Sequence, residues 1–246
     1  MAIRSLASVS EIENRNRLAR LLKNTPIPDE EISANLSLYM RRQDLSHLLF
    51  MDMIYNKIID VHGVIMEFGC RWGRNLALLQ NLRGIYEPYN WTRKIIGFDT
   101  FKGLKGHSDK DSVCLKDGDF IVPNFYCYTE LSSILDIHES NSPINQIGKY
   151  EIVSGDIKDT LGLYLNSCKE TVMALVYLDM DLYEPTRYVL GMIKDYLVKG
   201  SIIVFDEINH PMFPGETQAY RDNPYLCEYR LNRSPLNPSQ CWIVIE

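Results

Sequence analysis

Leu178-Asp179-Met180-Asp181 and Phe205-Asp206-Glu207 place four carboxylates at two points where apolar runs end. The runs, residues 173–178 and 201–205, read as strands, and the single helix-length segment between them makes the strands parallel neighbours. Ligands bind in the crevice beyond the carboxyl ends of such strands. Asp179, Asp181, Asp206 and Glu207 are therefore expected in one crevice. Like charges held this close repel unless a proton or a cation sits among them. An all-oxygen donor set suits a hard divalent cation such as magnesium. The competing reading leaves some of the four as helix caps or solvated loop acids.

A second cluster stands near another apolar run, residues 63–68. Glu67-Phe68-Gly69-Cys70-Arg71-Trp72-Gly73 follows that run and opens a helix. Its spacing is Glu-x-Gly-x-x-x-Gly, which is not the G-x-G-x-x-G fingerprint of a dinucleotide site. A carboxylate two residues before the first glycine suits a cationic ligand better than a pyrophosphate. Asp99 ends the next run, residues 94–98, where an acid can accept both ribose hydroxyls of a nucleoside. A plain strand–helix junction is the competing reading of the glycine turn alone.

Glu67-x-Gly69-x-x-x-Gly73 with Asp99 resembles the cofactor site of class I S-adenosylmethionine-dependent methyltransferases. Gly97-Phe98-Asp99-Thr100-Phe101-Lys102-Gly103-Leu104, Val153-Ser154-Gly155-Asp156 with the following residues to 161, Asp179-Met180-Asp181-Leu182-Tyr183 and Asp206-Glu207 together resemble one branch, the macrocin O-methyltransferase family. That family methylates sugar hydroxyls on antibiotics and related glycosides, and the resemblance covers about residues 62–220. It implies a Rossmann-like methyltransferase sheet, with magnesium held by Asp179, Asp206 and Glu207 and with Asp181 as general base. It also implies that Glu67 binds the amino-acid part of the cofactor, Asp99 the ribose and Asp156 the adenine side. Gly69, Gly73, Asn75, Thr100 and Asp179 complete the expected cofactor contacts. The chain departs from the family pattern twice. Glu207 stands where a second aspartate is usual, and in Cys70-Arg71-Trp72-Gly73 the arginine and tryptophan are exchanged.

These residues need elements to hold them. Strands alternating with helices from residue 62 onward predict an α/β domain, a doubly wound and mostly parallel sheet with an apolar, antiparallel last strand at residues 241–245. Residues 1–61 read as an N-terminal helical region, with helices at 11–23, 31–42 and 45–60. The last is apolar almost all round and is expected to cover the sheet or to form an oligomer interface. Residues 62–246 then form the cofactor domain, with a lid insertion at about 105–146 that includes a helix at 129–138. Gly200 reads as the cap of the helix opened by Pro185. Phe213-Pro214-Gly215-Glu216 reads as a turn over the metal crevice, serving as a substrate loop.

The 246 residues, with 46% hydrophobic and 24% charged side chains, suffice for one large domain with an appendage. Six cysteines without C-x-x-C or zinc spacing read as buried free thiols in a reducing compartment. The start of the chain lacks a signal-peptide core and no apolar run is long enough to span a membrane, so the expectation is a cytoplasmic protein without a membrane partner. The net charge of −6 argues against nucleic acid. The expected partners are a small-molecule glycoside or sugar and a second copy of the chain.

Methyl transfer from a sulfonium requires in-line alignment and removal of the acceptor proton. A divalent cation lowers the pKa of a coordinated hydroxyl, and a vicinal diol would chelate it. His210, three residues past Glu207, is a second candidate base. Three other readings compete: a metal-dependent O-methyltransferase of an aromatic diol, a nicotinamide oxidoreductase, and a non-catalytic nucleoside-binding protein.

Overall fold

The computed structural model describes residues 7–246. The chain forms two compact units, the first ending at Leu49 and the second spanning Phe50–Glu246.

The first unit is helical. Helix α1 (Val9–Lys23) starts earlier than residue 11, because Ser8 and Glu11 form a reciprocal capping box. The helix expected over 31–42 is instead α2 (Asp29–Asn35) followed by a tighter turn, Leu36–Tyr39. Met40 is extended, and the Asp44 carboxylate accepts the Arg41 N–H at 3.2 Å, so a new helix, α3 (Arg42–Ile58), begins.

The second unit is built on a seven-stranded sheet of order β3-β2-β1-β4-β5-β7-β6. Its strands are β1 (Val64–Phe68), β2 (Ile95–Asp99), β3 (Tyr150–Ser154), β4 (Met173–Leu178), β5 (Leu197–Phe205), β6 (Asn232–Arg233) and β7 (Cys241–Val244). β1 to β5 are parallel, and β7 lies antiparallel between β5 and β6. This is the expected class of sheet. The helices are α4 (Arg74–Tyr86), α5 (Ser132–Ser140), α6 (Ile157–Ser167), α7 (Tyr183–Ile193), α8 (Pro214–Arg221) and the short α9 (Pro224–Cys227).

Helices cover both faces, so β4 is buried along its whole length and reads as an unbroken apolar run. Phe50, Ile54 and Ile58 of α3 pack with Leu76 and Leu79 of α4 against one face. Leu161 of α6 and Val189, Leu190 and Ile193 of α7 pack against the other. The helical spacing of 186, 189, 190 and 193 puts one stripe of α7 on the sheet. The chain order reverses between β1 and β4, which opens a crevice at their carboxyl ends.

Two local expectations are corrected. Gly200 does not cap α7, which ends at Ile193; it lies within β5, where its N–H donates to the Ile245 carbonyl. Edge-to-edge pairing with the end of the chain overrides the local cap signal. The turn expected at 213–216 is the start of α8, with Pro214 at its first position. Among the described cysteines none is in a disulfide, and Cys70 and Cys241 are buried as expected. Cys114, in the polar connection after β2, and Cys227, the last residue of the short α9, are exposed. No helix among the described residues is long and apolar enough to cross a membrane.

Candidate active site

The carboxyl ends of all five parallel strands meet in a cavity of about 350 Å³. Gly69 and Arg71 follow β1, Asp99 to Phe101 end β2, and Gly155 and Asp156 follow β3. Asp179 to Asp181 follow β4 and Glu207 follows β5. The long connection after β2 closes the cavity with Leu104, Lys105, Phe120 and Val122.

The glycine turn is shaped by close approach. Gly69 has φ +93°, and a side chain there would collide with the carbonyl of Asp179. β1 and β4 can therefore exit the sheet in contact only with glycine at this position. Gly73 has φ +71° and starts α4, pressed against Leu131. Arg71, also left-handed, donates its N–H to Asp99 Oδ2 at 2.7 Å, while Asp99 Oδ1 accepts from Phe101 N–H at 2.6 Å. Asp99 is thus held by backbone on both sides and faces the cavity.

Glu67 is buried behind this wall. Its Oε1 accepts from Asn75 Nδ2 at 3.0 Å, while Oε2 has no hydrogen-bond partner. Burial pushes its pKa up to about 8, against the pull of the Asn75 bond. Thr100 lines the cavity, but its hydroxyl donates to Gly103 O at 2.7 Å and stabilises the loop. Asp156 caps α6 by accepting from Lys158 N–H and pairs with Lys105 Nζ at 2.6 Å. Those partners lower its pKa against the effect of burial.

Of the four acids expected in one crevice, Asp179, Asp181 and Glu207 line the cavity, while Asp206 lies outside its lining but near enough to act on all three. Burial raises Asp179 well above the usual carboxylate range, and Asp206, Asp181, Glu216 and Glu207 add to it. Asp181 rises to about 7, through burial and Asp206, with Arg71 opposing. Glu207 rises to about 9, through burial, Asp206 and Asp181, and its Oε2 has no hydrogen-bond partner. Asp206 is fixed from beneath: its Oδ1 accepts from the buried Tyr177 hydroxyl and from Gln240 Nε2, the latter at 2.7 Å. Asp181 has φ +61°, a left-handed backbone uncommon outside glycine.

The donor chemistry fits a hard divalent cation: carboxylate oxygens, desolvated, with an oxygen on Glu207 that accepts no hydrogen bond. Among the described residues, no three His, Cys, Asp or Glu side chains already stand so as to enclose a metal ion.

His210 lies apart from the cavity lining. Its Nδ1 accepts from Met212 N–H at 3.3 Å and stands 3.8 Å from Glu207 Oε2, beyond hydrogen-bond reach. Burial lowers its pKa. Of the residues expected from sequence, Gly69, Asp99, Thr100, Asp156, Asp179, Asp181 and Glu207 line the cavity, whereas Glu67, Gly73, Asn75, Asp206 and His210 stand behind or beside it.

Sequence reasoning missed several contributors. Arg71 holds its guanidinium 4.8 Å from the Phe120 ring centre over the cavity. Asp111, in the connection after β2, reaches across to cap α7: its Oδ1 accepts from Tyr183 N–H at 2.7 Å, and its Oδ2 from Ser108. Lys110 beside it bonds the Tyr183 hydroxyl at 2.8 Å and pairs with Asp222. Glu216 is wholly buried against the acid cluster.

No family model matches the chain, and no curated protein sequence does. Solved structures do. A crystal structure of CalS11, a calicheamicin methyltransferase, is 42% identical, with 99% of this chain and 98% of that chain covered and a TM-score of 0.93. The apo structure of CalS11, described as a TDP-rhamnose 3'-O-methyltransferase of calicheamicin biosynthesis, is 41% identical over 98% and 96% of the two chains, with a TM-score of 0.86. The O-methyltransferase NovP shares the fold, with a TM-score of 0.60 at 14% identity over 95% of this chain and 98% of that chain.

Proposed function

The chain belongs to the family of S-adenosylmethionine-dependent sugar O-methyltransferases that its motifs resemble, and from that premise we propose that it methylates a hydroxyl of a nucleotide-linked or glycosidic sugar with the help of magnesium. The observation that carries this reading is the convergence of Asp179, Asp181 and Glu207 on the cavity that Asp99 also lines. The acceptor class is supported by the TDP-rhamnose substrate of the 41% identical relative.

In this reading S-adenosylmethionine supplies an electrophilic methyl group and a magnesium ion supplies Lewis acidity at the acceptor hydroxyl. Asp179, Asp206 and Glu207 would hold the ion. Asp99, its carboxylate already aimed by two backbone N–H groups, orients the ribose. Asp181 takes the acceptor proton, since burial and Asp206 give its carboxylate a raised proton affinity. His210 is the poorer base, because its Nδ1 lone pair is engaged by Met212 N–H and the proton then sits on Nε2. Leu104, Phe120, Val122 and Phe213 exclude water from the methyl transfer.

The direct test is labelled S-adenosylmethionine with a panel of nucleotide sugars, free glycosides and catechols, with and without magnesium. Methylation confined to the sugars supports the reading; methylation of catechol alone would move the chain's acceptor to an aromatic diol.

Two binding experiments bear on the cofactor side. Asp99→Ala is expected to weaken S-adenosylhomocysteine binding tenfold or more, because hydrogen bonds to a charged acceptor are worth about 1.5–3 kcal/mol. Equal affinity in titration calorimetry would take Asp99 out of the site. Glu67, raised to about 8, is mostly protonated at neutral pH. An ammonium docking on it should expel that proton. At pH 7 the calorimetric enthalpy should therefore vary with buffer ionisation enthalpy, with a net release of protons that fades as the pH rises past the raised Glu67 value. Buffer-independent enthalpies would mean that Glu67 stays protonated and does not meet the amino group.

A further inference from the structure

Glu216 sits in the first turn of α8, nine residues beyond Glu207, and is fully shielded from solvent. Its Oε2 accepts the backbone N–H of Glu207 at 3.0 Å, and its Oε1 has no hydrogen-bond partner. Among the described residues it has no ion pair. An apolar side chain would fill this space without the cost of burying a carboxyl. What the carboxyl adds is an acceptor for a backbone group in the turn that carries two of the four acids.

The neighbouring residues of α8 brace the same region. Thr217 Oγ1 accepts the N–H of Asn209 at 2.9 Å, and Asn209 is left-handed with φ +62°. Consecutive side chains of one helix turn thus secure two N–H groups of the 206–210 turn. Gly215 lies against the other acid loop. A Cβ there would meet Asp111 Oδ1, come within 2.5 Å of Tyr183 N and lie 2.7 Å from Asp181 O. The first turn of α8 therefore presses on the Asp181 loop with its backbone while it holds the Glu207 loop with a side chain.

We propose that Glu216 is a positioning residue, which sets Glu207 relative to Asp181 by accepting the Glu207 backbone N–H from the first turn of α8. The inference rests on the reading of these acids as the magnesium and proton-transfer site. Glu216 acts as an acceptor, so its negative charge is not required. It reaches the chemistry only through the loop it holds.

The experiment compares Glu216→Gln, whose amide oxygen keeps the acceptor, with Glu216→Met, which fills the same space without one. Magnesium alone and S-adenosylhomocysteine alone are titrated by calorimetry, and kcat and KM are measured on folded protein. The expected result is that Gln stays within about threefold of the parent in magnesium affinity and kcat. Met is expected to lose about tenfold or more in both, as loss of a buried N–H acceptor predicts, with cofactor affinity unchanged. If Met does not fold, Glu216→Leu, likewise apolar and without an acceptor, is read in its place, with the same loss of magnesium affinity and kcat and unchanged cofactor affinity expected. The inference is overturned if Gln is as damaging as Met, which would make the charge the working feature. It is also overturned if Met leaves kcat and magnesium affinity unchanged, or weakens cofactor binding equally. A parent enzyme that binds no magnesium and resists chelation would remove the metal reading instead, and the Gln–Met contrast in kcat would still decide the role of Glu216.

Discussion

Replacing Asp181 by asparagine is expected to lower turnover by roughly a hundredfold to ten-thousandfold, the usual worth of a positioned base. Magnesium and S-adenosylhomocysteine should bind the variant about as well as the parent. The substitution keeps size and shape at a left-handed position, and asparagine tolerates that backbone well. The loss would therefore report chemistry rather than fold. His210→Ala should have a much smaller effect, because that ring lies beside the cavity with Nδ1 bound to Met212 N–H. If His210→Ala is inactive and Asp181→Asn loses magnesium instead, base and ligand must be exchanged.

Removing the cation should be as severe. A chelator is expected to abolish turnover, and added magnesium to restore it. Asp179→Asn and Asp206→Asn should each lose magnesium affinity, since each removes a full negative charge from an oxygen site. Asp206→Asn should stay folded, because its remaining oxygen can still accept from Tyr177 and Gln240. Without a cation, burial and mutual repulsion hold Asp179, Asp181 and Glu207 toward their neutral forms. Binding should therefore release protons, which calorimetry in two buffers detects. Full activity in chelator would make the cluster a set of proton carriers and no metal site.

The acids at the ends of β4 and β5 were legible because each interrupts a run of buried apolar residues, a break in polarity that needs no tertiary knowledge. Asp99 was legible for the same reason at the end of β2. The parallel sheet followed from the alternation of strand and helix. Glu216 was not legible: it occupies an ordinary first-turn position for an acid, and only the packing of α8 turns it toward Glu207 rather than toward solvent. Tyr177 and Gln240 meet Asp206 across 29 and 34 residues, distances that carry no periodic signal. Gly200 misled because a glycine after a helical pattern is a good cap signal, yet β5 extends back to Leu197 to pair with Met173. Asp111, in a stretch without regular structure, gave no sign of its contact with α7.

That contact makes a single amide informative. The Tyr183 N–H is bound by a carboxylate from 72 residues earlier in the chain, and no side chain of its own neighbours caps α7. Its exchange with deuterium must then wait on detachment of Asp111 rather than on fraying of the helix alone. Site-resolved exchange at Tyr183, read with and without S-adenosylhomocysteine, is thus a clock for how long the segment over the cavity stays seated.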